Sequence, residues 1–292
     1  DGPPGEAEFT EPGAVALLPP GGPYDLAVAD TVNHLVRGLD LATGTVVATI
    51  DLAAALAAAR TITGAVPAVL SPWDLVWWPA RQRLIVAAAG VHLLLSADPA
   101  DGSVEILAGT TVEGLRDGAA LDAWLAQPSG LAVDGDRLWF VDAETSSLRY
   151  LQAGAGADTV HTVVGEGLFD FGHVDGPAAQ ARFQHPLGVT RLADGSLAVL
   201  DTYNGAVRRY DPATATVSTL ATGLDEPSGA VLAGAELVVV ESGAHRLTGL
   251  DPQARDEATG ESGQTPRPPV QLAAGPVELR VVFTLPPGRK LD

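Results

Sequence analysis

Short apolar runs behind a proline recur five times along this chain, at Pro12, Pro72, Pro128, Pro186 and Pro227. Gly13-Ala14-Val15-Ala16-Leu17 follows the first, and Ser129-Gly130-Leu131-Ala132-Val133 follows the third. A second apolar run then ends in an acid: Ala27-Val28-Ala29-Asp30, Trp139-Phe140-Val141-Asp142, Ala198-Val199-Leu200-Asp201 and Val238-Val239-Val240-Glu241. The matching run of the second repeat is Ile85-Val86-Ala87-Ala88, where the acid is lost. Three acids are followed seven residues later by arginine, as Asp30/Arg37, Asp142/Arg149 and Asp201/Arg208. Between acid and arginine lies a turn, such as Thr31-Val32-Asn33-His34 or Thr202-Tyr203-Asn204-Gly205. Apolar runs punctuated by Asp, Asn, Gly and Pro read as strand, turn, strand. Four strands per repeat make one blade, and repeats of roughly 40–60 residues make an all-β propeller.

The connectors repeat as well. Asp1-Gly2, Asp117-Gly118 and Asp175-Gly176 stand before the prolines at one spacing, and Phe9, Leu125 and Phe183 stand three residues before them. This spacing predicts a short capped helix whose apolar residue plugs the gap between blades. On this reading the chain begins inside such a connector, and a preceding blade is expected outside it. Residues 52–70 are Ala-rich, with Arg60 and Pro67 among them. They read as a short helix in a loop, capped by Asp51, rather than a membrane span. Residues 1–256 therefore form the propeller. Residues 257–269 are polar with clustered proline and read as a linker. Residues 270–292 alternate loosely, as the start of a further β domain.

Charge narrows the partners. The chain has 292 residues, with 17 Lys plus Arg against 36 Asp plus Glu, a net charge of −19. That balance excludes a basic nucleic-acid footprint and is repelled by anionic membrane surfaces. A protein or peptide is the expected partner. The absence of Cys removes disulfides, thiolate nucleophiles and Cys-type zinc sites from these residues. A cytoplasmic location is expected.

The string Asp30-Thr31-Val32-Asn33-His34-Leu35 resembles the signature of NHL repeats. Residues 168–176, Leu-Phe-Asp-Phe-Gly-His-Val-Asp-Gly, followed by Gln184-His185-Pro186-Leu187-Gly188-Val189, are similar to a narrower group. These are the NHL-repeat proteins that carry a thioredoxin-like domain, here as a bacterial member. The resemblance implies three parts in order: a thioredoxin-like domain, a six-bladed propeller and a small C-terminal β domain. This chain then holds about five blades and a stub, with any redox cysteines outside it.

The chemistry-bearing positions are few. The Asp30/Arg37, Asp142/Arg149 and Asp201/Arg208 pairs and Glu241 read as structural, each acid accepting hydrogen bonds from the backbone of its own turn. His34, His92 and His245 occupy one place in three different blades, so they spread around the ring and do not converge on a metal. At the expected axial positions just past the prolines only Asp74 is a hard-metal ligand. No catalytic residue and no cofactor are assigned. The favoured reading is a non-catalytic interaction platform within a thioredoxin-like multidomain protein. The alternative is a divalent-metal-dependent propeller lyase or hydrolase using the axial channel, with Asp74 as one ligand. The aromatic residues Trp73, Trp77, Trp78, Phe169 and Phe171, with His173, form the candidate interaction surface, with packing between blades or against the thioredoxin-like domain as the alternative.

Overall fold

A computed structural model describes residues 1–59 and 69–256. Five antiparallel sheets follow one another along the chain. Blade one comprises Pro12–Leu17, Leu26–Asp30, Leu35–Asp40 and Thr45–Asp51. Blade two comprises Pro72–Trp78, Arg83–Ala88, Leu93–Ala97 and Val104–Ala108. Blade three comprises Pro128–Asp134, Arg137–Asp142, Ser147–Gln152 and Thr159–Val164. Blade four comprises Gly188–Arg191, Leu197–Asp201, Ala206–Asp211 and Thr216–Ala221. Blade five shows Pro227–Ala233, Glu236–Glu241 and Arg246–Leu250 among the described residues. The first strands of successive blades pack side by side around the axis. The expected linker at 257–269 and β domain at 270–292 lie outside the described residues.

Alternation along each strand sends one set of apolar side chains to each sheet face, and every blade interface becomes a small core. Val36, Leu56, Leu75 and Leu95 fill the space between blades one and two. Leu94, Leu125, Phe140 and Leu151 fill the next, and Trp139, Phe183, Val199 and Tyr210 the one after. The helix Leu52–Ala59 buries Leu52 and Leu56, and Asp51 caps it by accepting the Ala54 N–H at 2.9 Å.

The connectors correct one expectation. Leu125 and Phe183 are indeed buried plugs. The lead-in to each is no capped helix, however. Gly118–Ala119 and Gly176–Pro177 are two-residue strands that pair with the outer strands of blades three and four. The reason is local. Gly118 and Gly176 take φ of 127° and 124°, outside the helical range. The preceding acids are also engaged elsewhere: Asp117 accepts from Thr162 and Asp175 from Thr219, each through both backbone N–H and hydroxyl.

The acid–arginine repeat is a buried three-part clasp. Asp30, Asp142 and Asp201 are fully buried, and their arginines lie 2.9, 2.8 and 2.7 Å away. Each arginine also reaches the connector acid of its own blade: Arg37 to Asp1, Arg149 to Asp117 and Arg208 to Asp175. The backbone donor differs from the one expected. It is the N–H two residues before the opening proline (Thr10, Ala126, Gln184), not the acid's own turn. Glu241 keeps this bond, to the Asp225 N–H, but its arginine partner is Arg246. In blade two apolar residues stand at the acid, arginine and threonine positions of the clasp, as Ala88, Leu95 and Ile106. An apolar set of matched shape substitutes for a buried ion pair without leaving a charge stranded.

Candidate functional site

The first strands place small residues at the axis. Their register shifts between the proline and the second residue after it in blades one, two, three and five, and this bulge turns that residue towards the centre. The positions are Ala14, Asp74, Gly130, Gly188 and Gly229. A cavity of about 590 Å³ opens there, lined by Ala14, Trp73, Asp74, Ser129, Gly188 and Ser228 among others. Its walls are mainly apolar. Ser129 turns its hydroxyl away, donating to Pro186 O at 3.1 Å.

Asp74 is the carboxylate that faces this cavity. One oxygen accepts the Leu75 N–H at 2.8 Å and the other the Leu131 N–H of blade three at 2.6 Å. Desolvation pushes the Asp74 carboxyl up to about 7, against the lowering effect of those two hydrogen bonds. Among the described residues no three His, Cys, Asp or Glu side chains come together to hold a metal ion. Asp74 is thus a bridge between two blades, poised near neutrality. The linkage has a definite sign. A carboxyl raised on folding binds its proton more tightly in the fold, so its contribution weakens stability as pH rises from about 4 through about 7. Chemical denaturation should therefore show the protein losing more stability between pH 6 and 8 than an Asp74→Asn variant does. Identical pH profiles would exclude Asp74 as the titrating group.

The candidate aromatic surface divides. Phe169 is 79% exposed, whereas Phe171 is half-buried. Their loop is pinned on both sides of Phe169, by Arg182 on Glu166 at 3.1 Å and on Asp170 at 2.7 Å, and by Asn204 Nδ2 donating to Gly172 O at 2.7 Å. His173 is buried, which corrects its placement on the surface, and burial holds its imidazole below the ordinary histidine range. Trp78 is also withdrawn from the surface. It is fully buried, donates its indole N–H to Gly135 O at 2.9 Å and carries the Arg81 guanidinium 4.6 Å from its ring centre. Trp77 packs on the core between blades one and two, and Trp73 lines the axial cavity. The surface read from sequence therefore reduces to the 168–171 loop.

Sequence reasoning missed Tyr203. It is exposed, stacks on His185 with ring centres 4.4 Å apart, and lines a second cavity of about 450 Å³ with Gln184, Leu224 and Asp225. Its sequence signal is a lone aromatic in a turn that otherwise holds small and polar residues. It also missed two apolar walls. Val15 and Leu17 of blade one and Val231, Val240 and Leu247 of blade five are exposed. They line one side each of the axial cavity where it opens between these two blades.

The turn histidines have a structural task. His34 and His92 each accept, at Nδ1, a backbone N–H of the next blade at 3.2 Å, from Ser71 and Gln127 respectively. They do not approach one another as metal ligands. Among the described residues no helix is long and apolar enough to cross a membrane.

No family model matches the chain. It is 33% identical over 295 residues to NHL repeat-containing protein 2 of Bos taurus, which covers 84% of this chain and 39% of that protein. It is 31% identical over 211 residues to Protein SUPPRESSOR OF QUENCHING 1, chloroplastic, of Arabidopsis thaliana, covering 67% of this chain and 19% of that protein. The chain thus spans well under half the length of these curated relatives. Among solved structures it is similar to a gluconolactonase from Xanthomonas campestris, with a TM-score of 0.54 at 18% identity, covering 86% of this chain and 79% of that one. At that identity the likeness speaks for the fold alone. Repeat, fold and relatives together make this chain an NHL-repeat homologue folded as a β-propeller.

Proposed function

We propose that the chain is a non-catalytic NHL propeller that serves as a protein-interaction platform inside a longer, thioredoxin-like multidomain protein. The observation that carries this reading is Phe169. A large apolar side chain stands 79% exposed on a loop anchored at Glu166 before it and at Asp170 and Gly172 after it. An exposed aromatic on a rigid frame binds without first losing loop entropy, which is how interface anchors work. The partner is a protein surface, with the thioredoxin-like domain of the same protein as its first candidate.

A six-bladed ring belongs to the same proposal. Two features of the gap between blades five and one support it. Gly130 and Gly188 have the next blade's backbone within 2.6 Å of where a side chain would begin, while Gly229 of blade five has nothing within 4 Å. The apolar walls of Val15 and Leu17 and of Val231, Val240 and Leu247 flank that space. One further blade, supplied by the longer protein, would cover both.

The alternative, a divalent-metal lyase or hydrolase at the axis, has one carboxylate among the described lining residues, and both Asp74 oxygens already accept backbone hydrogen bonds. Calorimetry with the separate thioredoxin-like domain tests the platform. Phe169→Ser should weaken binding at least tenfold with an unchanged melting temperature. Binding that ignores the substitution, or wild-type protein that does not bind the domain, would sink this assignment of surface and partner.

A further inference from the structure

We propose that His34 and His92 are proton-sensitive latches that tighten both junctions of blade two while neutral and loosen each by one hydrogen bond when protonated. The residue before each opening proline lies in the left-handed region: φ is 44° at Ser71, 65° at Gln127 and 49° at His185. That conformation is sparsely populated for side-chain-bearing residues, and a following proline narrows the choice further. It points each N–H back to the preceding blade. There the N–H meets a turn residue that is itself left-handed: His34 at 60°, His92 at 59° and Ser146 at 49°. Three successive junctions repeat one bond, Ser71 to His34, Gln127 to His92 and His185 to the Ser146 hydroxyl, at 3.2, 3.2 and 3.1 Å.

The chemistry of the acceptor separates them. An imidazole accepts at Nδ1 only when neutral, with its hydrogen on Nε2. Protonation places a hydrogen on Nδ1, which then faces another donor. Histidine is the side chain whose charge ordinarily changes between about pH 5 and 8. A serine hydroxyl does not titrate in that range. Both junctions of blade two therefore depend on a histidine, and the next depends on a serine. Between blades four and five Gly205 stands in the turn, and its carbonyl accepts the Leu224 N–H at 2.9 Å instead. Blade two is also the blade with no acid at the clasp position, where Ala88 stands. The carboxyl of Asp142 in blade three faces His92. Neither histidine forms an ion pair among the described residues. What remains after protonation is Thr31 Oγ1 donating to Pro72 O at 2.7 Å at the first junction, and at the second Asp74 on the Leu131 N–H, Trp78 Nε1 donating to Gly135 O and Arg81 paired with Asp158, with apolar packing at both. Trp73 and Asp74, which line the axial cavity, sit on the blade so loosened.

The global melt is not the readout, because Asp74 titrates with the opposite sign. Residue-resolved amide exchange of the 292-residue chain is. Protection factors of the Ser71 and Gln127 amides should fall about tenfold between pH 8 and pH 5, the weight of roughly one lost hydrogen bond, while the His185 amide keeps its protection. A His34→Ser, His92→Ser double variant borrows the acceptor that already works at Ser146. Its Ser71 and Gln127 amides should stay protected across the same range. Constant protection of Ser71 and Gln127 in the unmodified protein would overturn the proposal. So would pH dependence that survives in the double variant.

Discussion

Replacing Arg149 with leucine should lower unfolding free energy by about 3–5 kcal/mol, the cost of breaking a buried pair from one side. Arg149 is fully buried. Its guanidinium bonds Asp142 at 2.8 Å, Asp117 at 3.0 Å and the carbonyls of Trp124 and Arg116 at 2.8 and 3.1 Å. The ring of Phe140 lies beneath it at 5.6 Å. Leucine fills part of the volume and meets none of these acceptors. Asp142 is then a buried carboxyl that keeps the Ala126 N–H but has lost its ion pair. Burial already pushes Asp142 upward against Arg149, so in the variant the carboxyl takes up a proton, and the loss should be smaller at pH 5 than at pH 8. Blade two supplies the control. It carries alanine and leucine at these two positions, both fully buried, and folds as a four-stranded blade. The double variant Asp142→Ala, Arg149→Leu should therefore recover part of what the single change loses. Urea denaturation of the three proteins decides it. A double variant less stable than the single one would show that blade two tolerates the apolar pair for reasons that do not transfer.

Gly188→Ala should cost about 1–3 kcal/mol, the usual range for overpacking a filled space. The added methyl would lie 2.6 Å from Ser228 O, 3.1 Å from the Leu200 side chain and 3.2 Å from Gly229 Cα. Two of those three neighbours are backbone and cannot swing aside. Gly130→Ala should behave alike, since its methyl would meet Gly188 Cα at 2.6 Å and Leu187 O at 2.8 Å. Gly229 occupies the same place in blade five with open space around it. Gly229→Ala in this chain should stay within about 0.5 kcal/mol, as surface changes do. Thermal melts of the three variants test close packing at the axis. Equal effects at Gly188 and Gly229 would show that backbone entropy, not blade-to-blade approach, sets the cost.

Much of the fold was legible because a propeller repeats itself. The spacing from proline to acid to arginine placed the first three strands of blades one, three and four, the opening proline and paired apolar runs placed the other two blades, and the turn residues between strands were in plain view. The connector helix was misread because Asp-Gly before an apolar residue suits two local structures. The choice fell to the positive φ of the glycine and to a threonine of the blade's outer strand that engages the aspartate. The site was less legible. An aromatic residue in a connector looks the same in sequence whether it is held out, like Phe169, or packed in, like Phe171. Trp78 differs from Trp73 only by which face of a strand it occupies, and that is settled by register. Tyr203 had no periodicity to mark it.

The sequence by itself determined the blade count of the described chain, the order of strands and the seven-residue acid–arginine spacing, because each rests on local spacing and on side-chain chemistry that recurs. The tertiary structure alone decided which side chains join neighbouring blades. That Asp74 bridges to Leu131, that His34 and His92 accept hydrogen bonds from Ser71 and Gln127, and that Gly188 lies against Ser228 are contacts between residues some 35 to 60 positions apart. They depend on how one twisted sheet sets the angle and offset of the next, and no period along the chain encodes that.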